Sequence, residues 1–219
     1  LINKKKLNLG KNVYLIYSPE RIDPGNKKFN VSNTPKIISG ATKSCLKIAE
    51  EFYKNVTKTY SVSSLKTAEF TKLLENIYRS INIGFVNEMK IVSDKLKVDI
   101  YESIKAASTK PFGFVPFYPG PGLGGHCIPI DPFLLSWKAK KIRASTKFIE
   151  LSGNINNYMP SYVINKFKKL FNSNKKTIKN SKILVLGVSY KKDSADTRET
   201  PSIKIINLLK NLGCNVDVS

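Results

Sequence analysis

Apolar residues recur at helical spacing through the middle of the chain and at strand spacing near both ends. Residues 63–95 contain no proline and carry an apolar side chain every three or four positions, which predicts one long helix. Before this helix, the pattern predicts strands at residues 13–17, Lys36–Gly40 and 57–62, and a helix that Thr42 caps and that ends at Tyr53.

After the long helix, the pattern predicts further helices at residues 98–107, 133–141 and 146–171. Pro160 is expected to kink the last of these helices or to start a new turn, and Trp137 is expected in the core. A lysine-rich connector follows at residues 172–179. The chain then reads as a buried strand at 182–187, a helix at 202–212 that Gly213 ends, and a strand from residue 215.

These elements predict an α/β protein in three parts. Residues 1–61 are interpreted as the end of an N-terminal Rossmann-like domain, because strands alternate with a helix. Residues 62–180 are interpreted as an all-helical central domain organised on the long helix. Residues 181–219 are interpreted as the start of a C-terminal Rossmann-like domain. The N-terminal part begins without a first strand and its G-x-G-x-x-G sequence, so in a dinucleotide-binding fold the phosphate-binding loop is expected upstream of Leu1.

Polar residues form a second stripe along the long helix. Glu69, Lys72, Asn76, Arg79 and Asn87 follow one another at steps of three, four or multiples of these. On an exposed helix this stripe would be a solvated face. A long and mainly apolar helix is expected to be buried, however, and the stripe would then line a polar cleft in which a lysine can exchange protons.

The formal net charge is +21, because 37 Lys and Arg outnumber 16 Asp and Glu. Such an excess invites a nucleic-acid interpretation. The positive charge is spread along the chain, however, and only four of these residues are Arg, which fits a general lysine bias better than a designed basic face. We therefore predict no nucleic-acid partner, and an attraction for small anionic substrates.

The three cysteines are odd in number, widely spaced and without C-x-x-C pairing, so neither a disulfide framework nor a zinc site is predicted. A reducing cytoplasmic location fits best. No apolar stretch reaches the roughly 20 residues that a membrane span needs, and no membrane association is predicted. Cys45 and Cys214 are expected in the core.

Residues 118–132, called here the glycine loop, read Y-P-G-P-G-L-G-G-H-C-I-P-I-D-P. Its glycines and prolines exclude a regular helix or strand. Backbone N–H groups at such glycines can point at an anion, and Cys127 directly after them is well placed as a nucleophile, with Asp131 four residues later for water or proton transfer. The alternative is a connector with an inert buried cysteine.

Four segments together resemble the UDP-glucose/GDP-mannose dehydrogenase family. They read Y-S-P-E-R-I-D-P-G-N at 17–26, A-E-F-T-K-L-L-E-N-I-Y-R at 68–79, T-K-P-F-G-F at 109–114 leading into the glycine loop, and G-V-S-Y-K-K-D-S-A-D-T-R-E-T-P at 187–201. The sequence around the loop is most similar to that of the UDP-N-acetylglucosamine 6-dehydrogenase branch of the family. The resemblance covers the whole chain but only the middle of the family, so a fragment is expected.

The resemblance implies an enzyme that oxidises the C6 hydroxyl of a UDP-sugar to a carboxylate with two NAD+. It implies Cys127 as nucleophile and Asn76 at the reacting oxygen, with Lys72 transferring a proton or stabilising the oxyanion. Asp131 would assist water or the lysine, and Glu20 would act in the hydrolytic step. It implies substrate contacts from Arg21, Arg79, Tyr118, Gly120, Gly122, Gly124, Tyr190 and Lys191, and NAD contacts from Arg198 and Gly125. His126 is given a structural role.

The resemblance favours UDP-N-acetylglucosamine as the substrate, with UDP-glucose and UDP-N-acetylmannosamine as alternatives. The product would serve as a precursor of surface polysaccharides. The resemblance also implies a homodimer that pairs through the long helix. The alternative, from a different class of function, is that the chain is an inactive fragment that serves only as a dimerisation core.

Overall fold

The computed structural model describes residues 7–23, 26–191 and 193–219. Residues 24, 25 and 192 of two motifs quoted above lie outside the described residues. The chain divides into two compact units, Leu1–Glu75 and Asn76–Ser219.

The first unit is a small α/β sheet. Its strands β1 (Ile16–Tyr17), β2 (Lys36–Gly40) and β3 (Thr59–Ser61) lie in the order β1-β2-β3, and helix α1 (Lys43–Tyr53) connects β2 to β3. The β2–β3 pair is parallel, as a helical crossover requires, whereas β1 is antiparallel to β2. The Thr42 hydroxyl accepts a hydrogen bond from the Cys45 N–H and caps α1, as predicted. Cys45 is fully buried against this sheet layer.

Helix α2 (Leu65–Leu96) runs through the boundary between the units. The length of α2 agrees with the prediction, but the side of the helix that is buried does not. Small and polar side chains such as Ser80 and Asn87 are buried, whereas the large apolar residues on another side are exposed. These exposed residues are Phe70, Leu74, Tyr78, Phe85, Val92 and Leu96. Ile77 and Val86 are buried, so the expectation of a buried helix holds for one side of α2 and is wrong for the other, because periodicity reveals a stripe but not which stripe faces inward.

Three helices accompany α2 in the second unit: α3 (Ile100–Ala107), α4 (Asp131–Lys141) and α5 (Lys147–Ser173). Pro160 lies inside α5 without interrupting it, so the predicted new turn does not occur there. Trp137 is 59% exposed and lies under the Lys141 ammonium group, 3.6 Å from the ring centroid. The prediction of a core tryptophan is wrong, because an indole covered by a neighbouring lysine can remain at the surface.

The second unit ends in a parallel strand–helix–strand. β4 (Lys182–Val185) pairs with β5 (Asn215–Val218), and α6 (Pro201–Asn211) connects them. Ile164 of α5, Leu209 of α6 and Cys214 form the buried cluster under this motif. The motif agrees with the prediction, but β4 is not buried on both faces, since Leu184 is 59% exposed.

The α/β class predicted from the sequence thus holds for both units. Within the described ranges, no helix combines the length and apolar character that a membrane span requires. Those ranges also contain no cluster of three His, Cys, Asp or Glu side chains that could hold a metal ion.

Candidate active site

The glycine loop leaves the protein interior at a buried network of amide side chains. The Gly120 N–H donates to Asn87 Oδ1 at 2.9 Å, and Asn87 Nδ2 donates to Asn156 Oδ1 at 2.9 Å. Asn156 Nδ2 in turn donates to the Ser80 carbonyl oxygen at 3.2 Å. Asn87, Asn156 and Ser80 are all buried, so the network joins α2, α5 and the start of the loop without solvent.

Farther along, the loop packs against the segment before α6. A Cβ atom on Gly124 would lie 2.4 Å from Tyr190 Cβ, and one on Gly125 would lie 3.0 Å from the Tyr190 ring. Gly125 also has a φ of +89° and donates its N–H to the Arg198 carbonyl oxygen at 3.0 Å. Glycine is required at both positions, because only the absence of a side chain allows Tyr190 to approach the backbone so closely.

Cys127 and Asp131 lie together at the turn that begins α4. The Cys127 carbonyl oxygen accepts hydrogen bonds from the Ile130 N–H at 3.1 Å and from the Asp131 N–H at 2.8 Å. Asp131 Oδ2 accepts from Asn76 Nδ2 at 2.6 Å. The Cys127 thiol is exposed, and its Sγ lies 3.9 Å from Nδ1 of the exposed His126 ring. A buried cysteine is therefore excluded at this position.

Arg198 and Asp196 form an ion pair beside this loop. Arg198 Nη2 lies 2.6 Å from Asp196 Oδ2, and Arg198 Nε donates to Oδ1 at 3.0 Å. The guanidinium hydrogen bonds lower the pKa of Asp196 to about 2, and the same contact raises the pKa of Arg198. Both Cys127 and Tyr190 lie near enough to Arg198 to interact electrostatically with its cation.

The first unit contains Glu20, Arg21 and Lys72. Glu20 Oε1 accepts from the N–H groups of Arg21 and Ile22 at 2.9 and 2.8 Å, and its Oε2 lies 3.0 Å from Lys36 Nζ. Partial burial would raise the pKa of Glu20, but these hydrogen bonds outweigh it and lower the pKa. Arg21 pairs with Glu75 at 2.8 Å. Lys72 is half-buried on α2, four residues before Asn76.

The second unit brings together Cys127, Asp131 and Asn76, and it places Gly124, Gly125, Tyr190 and Arg198 in contact. Arg79 and Tyr118 are exposed. Lys191 is half-buried. Gly120 has no atom within 4 Å of an added Cβ, so it is not required for close packing. Gly122 approaches the carbonyl oxygen of Asn156, which a Cβ would meet at 3.0 Å.

Sequence reasoning did not identify Asn156, Ser80 or Asp196. A signal for Asn156 existed, since asparagine is unfavourable inside a helix unless its amide has a specific partner. Residues 154–157 of α5 carry three asparagines, and only Asn156 among them is buried. Asp196 had a weaker signal, as a carboxylate two residues before one of the four arginines.

Two family models match the chain. The central-domain model of the UDP-glucose/GDP-mannose dehydrogenase family matches residues 66–158, and the UDP-binding-domain model of the same family matches residues 184–219. The first match includes the glycine loop and all but the first residue of the long helix, and the second begins within β4 and includes α6 and β5.

Curated relatives match nearly the whole chain. It is 35% identical over 214 residues to a UDP-N-acetyl-D-glucosamine 6-dehydrogenase of Salmonella typhi, covering 97% of this chain and 50% of that protein. It is also 35% identical over 213 residues to a UDP-N-acetyl-D-mannosamine dehydrogenase of Methanocaldococcus jannaschii, covering 97% and 48%. The chain thus spans about half the length of the curated relatives it matches.

Solved structures of similar proteins have the same fold over nearly the whole chain. The UDP-D-ManNAc dehydrogenase of Pyrococcus horikoshii superposes with a TM-score of 0.90 at 29% identity, covering 99% of this chain and 51% of that one. The UDP-N-acetyl-mannosamine dehydrogenase Cap5O of Staphylococcus aureus superposes with a TM-score of 0.79 at 32% identity, covering 99% and 50%. These matches confirm the α/β fold predicted from the sequence. The four motifs, the two family models and the superposed structures all lead to one conclusion: the chain belongs to the UDP-glucose/GDP-mannose dehydrogenase family.

Proposed function

We propose that the full-length protein carrying this chain oxidises the C6 hydroxyl of a UDP-sugar to a carboxylate, with Cys127 as the nucleophile. The observation that carries this proposal is the placement of Asp131. Its side chain accepts a hydrogen bond from Asn76, 55 residues away in sequence, and its N–H donates to the carbonyl oxygen of Cys127. An exposed thiol and a carboxylate therefore belong to one turn, and an amide from α2 donates to that carboxylate, a residue set that supports nucleophilic catalysis at a carbonyl carbon.

The described residues fit a dinucleotide in part. Arg198 offers an exposed guanidinium held in place by Asp196, and such a fixed cation suits a diphosphate. In the part of the chain that the structure describes, however, none of the three strand-to-helix connections carries a G-x-G-x-x-G sequence. When bound, NAD+ supplies the acceptor for one hydride in each of two oxidations. We assign Arg198 and the Gly125 backbone to its contact surface.

In the first half of the reaction, the C6 hydroxyl loses its proton and a hydride, the hydride going to the bound acceptor, and becomes an aldehyde. The Cys127 thiolate then adds to this C6 aldehyde. A C–S bond forms, and the carbonyl electron pair moves to oxygen, giving a thiohemiacetal. Asn76 donates to that developing oxyanion, and Lys72 keeps the proton-transfer role that the family resemblance implies. Loss of a hydride and of the hydroxyl proton then converts the thiohemiacetal into a thioester.

In the second half, water attacks the thioester carbon and the C–S bond breaks. The thiolate of Cys127 is released, and the sugar leaves as a uronic acid. Asp131 lies one helical turn beyond the cysteine and can orient that water or take its proton. Glu20 has its carboxylate held by two backbone N–H groups and Lys36, which favours the charged form that a base in hydrolysis needs.

Two N-acetylated sugars have equal support as the substrate. The relatives named above include a UDP-N-acetyl-D-glucosamine 6-dehydrogenase and a UDP-N-acetyl-D-mannosamine dehydrogenase at the same 35% identity. We therefore propose a UDP-N-acetylhexosamine, with UDP-glucose as the third alternative. Sugar and diphosphate contacts are assigned to Arg21, Arg79, Tyr118, Gly120, Gly122, Gly124, Tyr190 and Lys191.

NADH formation by the full-length protein tests the proposal. With UDP-N-acetylglucosamine, UDP-N-acetylmannosamine and UDP-glucose offered separately, one sugar should yield two NADH per molecule. Cys127→Ala should abolish this yield, whereas His126→Gln, which changes the exposed neighbouring ring, should retain it. Absence of NADH with all three sugars, or undiminished turnover by Cys127→Ala, would refute the proposed reaction.

A second function, self-association through α2, is favoured by a specific observation. Tyr78 and Phe85 are exposed on α2, and together with Phe114, Val115 and Phe117 they line an open groove of about 440 Å³. Contiguous exposed apolar surface on a helix is typical of a subunit interface. We propose that a second copy of the chain covers this groove.

Light scattering on wild type and Phe85→Glu tests this pairing. The wild type should have the mass of a dimer, and Phe85→Glu should be a monomer with an unchanged helical circular dichroism spectrum. Glu88→Gln, an exposed change of similar size one turn further along α2, should remain dimeric. A monomeric wild type would contradict the pairing and leave the catalytic proposal intact.

A further inference from the structure

A cavity of about 430 Å³ lies between α2, α3, α5 and the start of the glycine loop. Its walls include Lys90, Tyr101, Tyr162, Lys166 and the backbone of Gly120. Cys127, Asp131 and Asn76 do not line it. The volume lies within the range of small-molecule sites, and Gly120 is the one wall residue to which the proposed reaction assigns a role.

The charge on the wall of this cavity is unbalanced. Lys90 Nζ lies 2.8 Å from Asp94 Oδ1, and Lys166 Nζ lies 2.7 Å from Asp94 Oδ2, so two ammonium groups share one carboxylate. The cluster therefore carries a net charge of +1. Because the Lys90 side chain is only 22% exposed, solvent screens this charge less than it would on an open surface.

The protonation states support this charge count. Burial alone would raise the pKa of Asp94, but hydrogen bonds from Lys166, Lys90 and Tyr162 outweigh it and hold the pKa well below its usual range. Burial and the same carboxylate raise the pKa of Tyr162 to about 12. At neutral pH the phenol is thus neutral and the carboxylate charged.

Flat apolar surfaces stand beside the cations. Lys90 Nζ lies 5.7 Å from the ring centroid of Tyr101, and Lys166 Nζ lies 5.9 Å from that of Tyr162. Pro119 and Pro121 add rigid apolar wall on the loop side. A ligand ring can pack on these faces while its anionic group meets the ammonium groups.

We propose that this cavity binds a small organic anion in which a flat ring adjoins one carboxylate or phosphate group. The anionic group pairs with Lys90 and Lys166, and the ring packs between the tyrosine and proline faces. The proposal does not depend on the dehydrogenase reaction. Because Gly120 belongs to both the cavity and the glycine loop, a bound anion also restrains the start of that loop.

Amide chemical shifts of the ¹⁵N-labelled chain test the proposal with four probes. Orotate carries a ring with a carboxylate, UMP carries a ring with a phosphate, uracil is the ring without charge, and inorganic phosphate is the charge without a ring. The amides of Tyr101 and Val163 should shift saturably with orotate or UMP, with a Kd near or below ~1 mM. Uracil and inorganic phosphate should each bind at least about tenfold more weakly.

Matched variants locate the binding. Lys166→Gln should weaken it about tenfold, because one of the two charged contacts is removed, whereas Lys169→Gln on the same helix should leave it unchanged. The proposal is overturned if no probe shifts these amides, if Lys166→Gln binds like wild type, or if UMP shifts only residues near Gly125 and Arg198. Equal binding of inorganic phosphate and UMP would exclude the ring contacts and overturn the assigned ligand class.

Discussion

The two ends of the glycine loop are held by opposite means. At Gly120, the backbone is bound by Asn87, and Asn87 by Asn156, in a network that solvent does not reach. At Cys127, the side chain is exposed, and the backbone carbonyl is held by the turn that begins α4. The Gly120 end is therefore fixed by buried side chains to which no catalytic role is assigned. The Cys127 end presents an exposed thiol that contributes little to the stability of the fold. The comparison predicts large stability effects at the first end and small ones at the second.

The largest effect is expected at the buried amide network. Asn156→Leu keeps the side-chain volume but removes the acceptor of Asn87 Nδ2 and the donor to the Ser80 carbonyl oxygen. Leaving a buried amide unsatisfied should lower the free energy of unfolding by about 3 kcal/mol. Urea denaturation measures this loss. Asn154→Leu, exposed on the same helix, should change it by less than ~0.5 kcal/mol, and equal losses in both variants would remove the special role of the network.

The middle of the loop should show a smaller effect that depends on position. Gly124→Ala places a Cβ atom 2.4 Å from Tyr190 Cβ, so the segment before α6 must move. We expect a loss of about 1–3 kcal/mol. Gly120→Ala meets nothing within 4 Å and should be nearly neutral. Thermal unfolding of the two variants side by side gives the difference, and a neutral Gly124→Ala would show that Tyr190 does not pack as described.

The ion pairs of Asp94 near the Gly120 end should depend on pH. Because the folded-state pKa of Asp94 is lowered, its contribution to stability is present above its unfolded value near 4 and is lost as the pH falls further. Asp94→Asn should therefore cost about 1 kcal/mol at pH 7, and the gap to wild type should shrink by pH 3. Urea unfolding at pH 7, 5 and 3 measures the gap, and a constant gap would contradict the assignment.

The smallest stability effect is expected at Cys127 itself. Cys127→Ala removes an exposed thiol with no buried partner, and the free energy of unfolding should change by less than ~0.5 kcal/mol. In the native protein, iodoacetamide should label Cys127 while the buried Cys45 and Cys214 stay protected. Mass spectrometry identifies the labelled residue. Substantial destabilisation by Cys127→Ala would break the contrast between the two ends of the loop.

Local elements were predicted from the sequence with nearly correct bounds. Strand β2 matches its prediction, α1 begins after Thr42 and ends at Tyr53, and Gly213 follows α6 with a φ of +80°. Such features depend on contacts within one or two helical turns, so the residues that decide them are neighbours in sequence. The three-domain division at residues 61 and 180, and every assigned catalytic role, stay predictions.

The face that each element buries was predicted less well. The outward apolar side of α2, the exposed Trp137 and the exposed Leu184 all contradicted expectation. Hydrophobic periodicity measures how often apolar residues recur, and it carries no information on which neighbour covers them. The choice of Asn156 as the partner of Asn87, 69 residues away, was likewise invisible before the helices were packed.

The sequence by itself determined the glycine loop, the order of strands and helices, and the four motifs that indicate the family. These are properties of residue type and spacing, which backbone sterics and capping convert directly into local structure. Only the tertiary structure decided that Asp131 accepts from Asn76, that Tyr190 packs on Gly124 and Gly125, and that Lys90 and Lys166 share Asp94. These contacts join segments distant along the chain, and their geometry exists only after the helices have packed.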